Sequence, residues 1–117
     1  MFQSKQDIEG MKNSFGEEFI QFLSKKWTIE ILLAFYNCSN KTFTDLRYTD
    51  LEDILHDKST RTLNVRLNDF EKRKFIIKKR DSTNNRLTHY YLTTKGEKLV
   101  RELISINRWV VKTFDGF

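Results

Sequence analysis

Lys58, Arg61, Thr62, Val65 and Asn68 recur at helical spacing with Ser59 and Thr60 beside them, and Lys78-Lys79-Arg80 and Asn84-Asn85-Arg86 follow within a short stretch of chain. Most of these side chains carry positive charge or hydrogen-bond readily. Such a set suits a polyanion. With Leu63 as origin and about 100° per residue, Leu67 and Phe70 fall on one side of a helix. Arg61, Val65 and Lys72 fall opposite, with Lys58, Thr62 and Asn68 alongside. The outward face is therefore polar and basic with one small apolar member. Arginine can bond guanine through two N–H groups, and valine can touch a thymine methyl. Val65 also fits the plainer description of an isolated surface apolar residue.

The charge is localised. Residues 1–57 hold 6 basic and 10 acidic residues, whereas residues 58–117 hold 15 and 6. Residues 58–80 alone hold 9 and 2, in a chain of net charge +5. A patch of this kind attracts a polyanion and makes its binding salt-dependent. A solvated lysine-rich surface would show the same totals. The coincidence of charge, helix and hairpin favours nucleic acid.

The elements that must position these residues are legible around them. Ile76–Arg80 and Leu87–Leu92 read as strands, and Asp81-Ser82-Thr83-Asn84-Asn85-Arg86 as the tip between them. Arg86 is placed to enter a minor groove, where narrow A·T tracts concentrate negative potential. Upstream, Asp57-Lys58-Ser59 caps the basic helix. Leu51, Ile54 and Leu55 continue an apolar stripe for a preceding helix. Arg66 lies to one side of the basic helix and is expected to pair with Glu52 or Asp53; a phosphate contact is the lesser alternative.

Phe43-Thr44-Asp45-Leu46-Arg47 and Tyr48-Thr49-Asp50-Leu51-Glu52 form a tandem repeat. The second copy is expected to open a helix. The first is either a short strand against the wing or an extra helical turn. A helix from about 15 to 24 follows from Phe15, Phe19 and Phe22 on one face and a Ser14-x-x-Glu17 capping box. A second runs from about 27 to 36, and Asn37-Cys38-Ser39-Asn40 reads as a turn. Thr93 or Thr94 caps the last helix, with Thr94-x-x-Glu97 as a further box. That helix carries two neighbouring stripes, Leu99, Leu103, Ile106 and Val110 beside Val100, Ile104, Val111 and Phe114, with Trp109 near the first. The apolar excess points to a dimer interface built from Phe15, Phe19, Phe22, Leu99, Leu103, Ile106, Trp109 and Val110. A monomer that buries both stripes internally is the alternative.

Other chemistry is poorly supported. Cys38 is the only cysteine, so there is no internal disulfide. With no signal-like segment or membrane-length apolar run, a cytoplasmic location and no membrane partner are expected. His56, His89 and Cys38 match no metal-ligand spacing. No glycine-rich phosphate loop or Gly-x-Ser-x-Gly is present, so neither a catalytic residue nor a cofactor is expected. The acidic group Asp45, Asp50, Glu52, Asp53 and Asp57 fits a helix surface that balances its basic neighbour.

Four fragments in fixed order carry a family resemblance. They are Lys26-Trp27-Thr28 with Ile31-Leu32; Tyr48-x-x-Leu51; Ser59-x-Arg61-x-Leu63-x-x-Arg66-Leu67-x-x-Phe70-Glu71; and Tyr90-Tyr91-Leu92-Thr93-x-Lys95-Gly96 with Trp109 downstream. Over about residues 20–112 the chain resembles the HxlR-type winged-helix regulators, near the MarR family. The resemblance implies a homodimer that binds double-stranded DNA, with dimer contacts from the first and last helices. The expected fold is mainly α (α+β): one domain over 1–117, a helix-turn-helix at about 48–74, a wing at about 75–93, and dimerisation helices at about 14–24 and 95–114. The alternative is a winged-helix protein-interaction module or a non-specific nucleic-acid binder. Two departures stand out. The tract after Trp27 is about five residues longer than the family's, the length of one repeat unit. Some members sense oxidants through a cysteine before the Lys-Trp-Thr helix; Cys38 lies after it, so that role does not carry over by position. The sequence names no effector.

Overall fold

The computed structural model describes residues 16–55, 60–80 and 87–114. Helix α1 spans Glu17–Ser24, with Gly16 at its N-cap, no side-chain cap bond, and Glu17 and Glu18 facing the positive end of its dipole. Ser14, the cap expected from sequence, lies outside the described residues. Helix α2 spans Thr28–Ala34. Trp27 stands before it at φ 71°, in the left-handed region that bulky residues rarely adopt.

α2 ends sooner than the apolar spacing implies because Tyr36 leaves as a strand. β1 (Tyr36–Asn37) pairs antiparallel with β2 (Thr42–Phe43), and the turn expected at Asn37–Asn40 is the tip of this small hairpin. The Tyr36 and Phe43 rings meet edge-on at 5.4 Å, and the Arg101 guanidinium lies 4.8 Å from the Phe43 ring centre. The first repeat unit is strand: Phe43 closes β2 and Leu46–Arg47 forms β3. The second unit opens α3, Tyr48–Leu55. Asp50 reaches back to the Arg47 backbone N–H at 2.9 Å, which secures the start of that helix.

Helix α4 spans Thr60–Lys72 and buries Leu63, Leu67 and Phe70, the face expected from their spacing. Its end is a Schellman turn: Phe75 N–H bonds the Phe70 carbonyl at 2.9 Å and Lys74 N–H the Glu71 carbonyl at 3.0 Å. Lys74 takes the left-handed position of that turn, φ 65°, without being glycine. β4 (Ile76–Arg80) and β5 (Thr88–Leu92) form the wing, and β3 joins the other edge of β5 in the order β3-β5-β4. Leu46 lies opposite Tyr90, and Ile76 opposite Leu92.

Helix α5 spans Thr94–Phe114. Its cap is Thr93, whose hydroxyl oxygen accepts the Gly96 N–H at 3.0 Å, so Glu97 sits one position beyond the expected box. The same hydroxyl donates to the Lys74 carbonyl at 2.6 Å, and Lys95 Nζ donates to the Arg73 carbonyl at 2.8 Å. A Cβ at Gly96 would run into the Phe75 carbonyl oxygen. Thr93, Lys95 and Gly96 are thus the residues that let α5 start flush against the α4–β4 turn. Phe22, Ile31, Leu32, Phe35, Leu51, Leu55, Leu63, Leu67, Phe70, Phe75, Ile76, Tyr90 and Val100 form the core. The result is a winged helix. No helix among the described residues is long and apolar enough to cross a membrane.

Candidate nucleic-acid interface

The buried face of α4 decides which side chains face outward. Arg61, Asn64, Val65 and Asn68 are exposed at spacings of three and four, with Thr60 and Lys72 at the ends. Thr62 is half-buried and lies off this stripe. Asn64 is the member that sequence reasoning missed, although its place three residues after Arg61 and four before Asn68 was the available signal. Lys58 and Ser59 lie outside the described residues.

Two cations of the 58–80 patch hold the fold together. Arg66 Nε donates to the Lys26 carbonyl at 2.7 Å, which ties α4 to the α1–α2 turn. Its partner is this backbone oxygen and not Glu52 or Asp53. Arg73 bonds Asp69 at 3.0 Å and Glu18 at 3.3 Å, and its guanidinium lies 5.0 Å from the Phe22 ring centre. Both carboxylates favour its charged form. Its contacts with the Phe22 ring and both carboxylates link α1 to the end of α4.

The wing places its cations on both faces, because side chains alternate along a strand. Lys78 lies opposite Tyr90 and Arg80 opposite Thr88, on the face whose inner end is buried Ile76 and Tyr90. Lys79 lies opposite His89 on the other face, and its Nζ is 5.4 Å from the Tyr91 ring centre. His89 and Tyr91 stack at 6.4 Å beside exposed Ile77. Lys78, Lys79 and Arg80 therefore do not act as one row. Asn84, Asn85 and Arg86 lie outside the described residues.

The acidic group is used locally. Asp45 Oδ2 is 3.2 Å from His89 Nδ1, and Asp50 pairs with Arg47 at 3.4 Å. Hydrogen bonds from the Arg47 backbone and side chain hold the Asp50 carboxyl below its ordinary range. Asp45 and His89 thereby join the β2–β3 connection to the wing. Among the described residues no group of three or more His, Cys, Asp or Glu side chains could hold a metal ion. Cys38 is exposed on the small hairpin.

The expected dimer residues separate into inner and outer sets. Phe22 is 1% exposed, enclosed by Phe70 and Phe75 at ring distances of 5.7 and 5.3 Å. It belongs to the protomer's own core and is removed from the candidate interface. Leu99 and Leu103 are half-buried against that core. Phe19, Ile106 and Trp109 are exposed, Val110 is half-buried, and Ile20, Val111 and Phe114 add exposed apolar surface. Phe15 lies outside the described residues.

A family model described as HxlR-like helix-turn-helix matches residues 22–116. No curated protein matches the sequence. Among solved structures, a MarR-family regulator from Porphyromonas gingivalis is 18% identical, covers 97% of each chain and has a TM-score of 0.66. A possible HxlR-family factor from Thermoplasma volcanium is 20% identical, covers 83% of this chain and 82% of its own, and has a TM-score of 0.63. TubR from Bacillus thuringiensis, solved with 24 base pairs of tubC, is 18% identical, covers 90% of this chain and 97% of its own, and has a TM-score of 0.58. At these identities the structures share the fold.

Proposed function

The chain belongs to the HxlR-like helix-turn-helix family of DNA-binding regulators, and from that premise we propose that it acts as a homodimer on a short, roughly palindromic duplex. α4 enters the major groove. The wing rests on the backbone and minor groove. Arg61, Asn64, Val65 and Asn68 meet base edges, while Lys78, Lys79 and Arg80 contact phosphates and sugars. Lys58, Ser59, Asn84, Asn85 and Arg86 extend these two contacts at their ends.

The observation that carries the reading is the division of α4. One face is buried by Leu63, Leu67 and Phe70, and the opposite face is a polar stripe, with Val65 as its one apolar member, next to a cationic hairpin. The exposed apolar side chains of the outer half of α5, with Phe19 and Ile20, support pairing of two copies. Two half-sites then lie about one helical turn apart on the DNA.

Selection from random duplexes at two salt concentrations tests this. A recovered palindrome supports the dimeric regulator. Enrichment without a motif, lost as salt rises, would leave a non-specific binder. Absence of binding at low salt would assign the basic face to an acidic protein partner.

A further inference from the structure

Helix α4 has a half-buried flank beside its outward stripe. Thr62, Arg66, Asp69 and Arg73 recur there at spacings of three and four, each partly covered. Two bonds identify the cover. Arg73 reaches Glu18 in the first turn of α1 at 3.3 Å, and Arg66 Nε donates to the Lys26 carbonyl in the α1–α2 turn at 2.7 Å. α1 therefore runs along this flank. Its acidic start lies near the end of α4, and the turn that follows it lies beside the stretch that carries Arg61 and Val65.

That turn carries Lys25 and Lys26, both exposed. Its backbone is held at several points. The Lys25 carbonyl accepts the Thr28 N–H at 3.1 Å, the Trp27 carbonyl accepts the Ile31 N–H at 3.0 Å, and Trp27 takes φ 71°. Lys26 Nζ lies 5.4 Å from the centre of a Trp27 ring. Glu30 borders the same recess, and the two lysines leave it net positive. Lys25 and Lys26 lie outside the basic tract 58–80, so the charge pattern along the chain does not single them out.

An α-helix with its side chains is about 10–12 Å across and the major groove is about 12 Å wide, so both flanks of an inserted helix face a sugar–phosphate strand. Ammonium groups carried beside one flank meet phosphates, and such contacts fix the register on the duplex without reading sequence. We infer that Lys25 and Lys26 form a further phosphate-binding site, which grips the backbone strand along the α1 side of α4. The inference rests on the reading of α4 as the helix in the major groove. The two lysines touch no base.

The test compares the full chain with a variant combining Lys25→Gln and Lys26→Gln, on the best selected duplex and on bulk DNA across a salt series. Both side chains are exposed, so the melting temperature should change little. The slope of log affinity against log salt is expected to fall by about one unit per lysine on both DNAs, with the selected motif unchanged. Ethylation of single phosphates should reveal positions in each half-site that block the unmodified chain and not the variant. Lys25→Arg with Lys26→Arg keeps the charge and should keep the slope; a loss here too would overturn the inference. An unchanged slope in the glutamine variant, or a changed motif, overturns it and leaves the proposed function standing. A slope that falls on bulk DNA while the unmodified chain selects no motif supports the lysine contact and overturns specific recognition. If the unmodified chain binds no duplex, both fail.

Discussion

Along α5, Gly96, Leu99, Val100, Leu103 and Ile104 lie buried or half-buried against the core, whereas Ile106, Trp109, Val111 and Phe114 are exposed, though the apolar spacing continues unchanged between them. The inner half is fixed by a backbone-tight junction with Phe75 and by the Thr93 cap. The outer half has its largest side chains, Trp109 and Phe114, in edge-on contact with each other at 5.5 Å. Periodicity identifies a face, and the neighbouring elements decide what covers it. The inner half therefore governs protomer stability. The outer half governs association under the proposed function.

Breaking the outer half should give the largest effect. Ile106→Glu combined with Trp109→Glu is expected to weaken dimerisation at least about a thousandfold, roughly 4 kcal/mol. Sedimentation would show monomers, and the dilute chain would melt as before. A dimer that survives both changes would place the interface elsewhere. In the inner half, Gly96→Ala should cost about 2–3 kcal/mol, because its Cβ meets a backbone carbonyl that cannot rotate away. Urea unfolding reads this cost, and an unchanged midpoint would show that the junction is looser than described.

Two smaller effects sharpen the contrast. Lys74→Gly should stabilise the protomer by about 1 kcal/mol, since glycine enters the left-handed region without the Cβ penalty. Dimer dissociation should not change. The Asp50 carboxyl is held below its ordinary value of 3.8 by Arg47, so the folded chain favours the ionised form. Its contribution is full above that value and fades as the pH falls through the lowered one. Asp50 is partly exposed, so the effect is slight: Asp50→Asn should flatten the acid side of a melting-temperature profile a little. An identical profile would mean the Arg47 contact does not favour the folded state.

The fold was largely legible because its signals are local. Leu63, Leu67 and Phe70 define α4 by spacing, and the two strands read at Ile76–Arg80 and Leu87–Leu92 around a turn-forming tract define the wing. The illegible parts depend on contacts between distant residues. Nothing near Arg66 in sequence points to the Lys26 carbonyl, and nothing near Phe22 indicates that Phe70 and Phe75 enclose it. Thr93 was one of the two caps the sequence offered, and the Lys74 and Phe75 carbonyls across the turn select it over Thr94. Asn64 was passed over in favour of Thr62, which the core partly covers. The small hairpin at Tyr36–Phe43 escaped notice because two-residue strands leave no periodicity to read.

Specific recognition of duplex DNA by α4 and the wing is tested most directly by competition between the best selected duplex and bulk DNA at one physiological salt concentration. A preference of at least about a thousandfold for the selected site is expected. Equal affinity for both would contradict it.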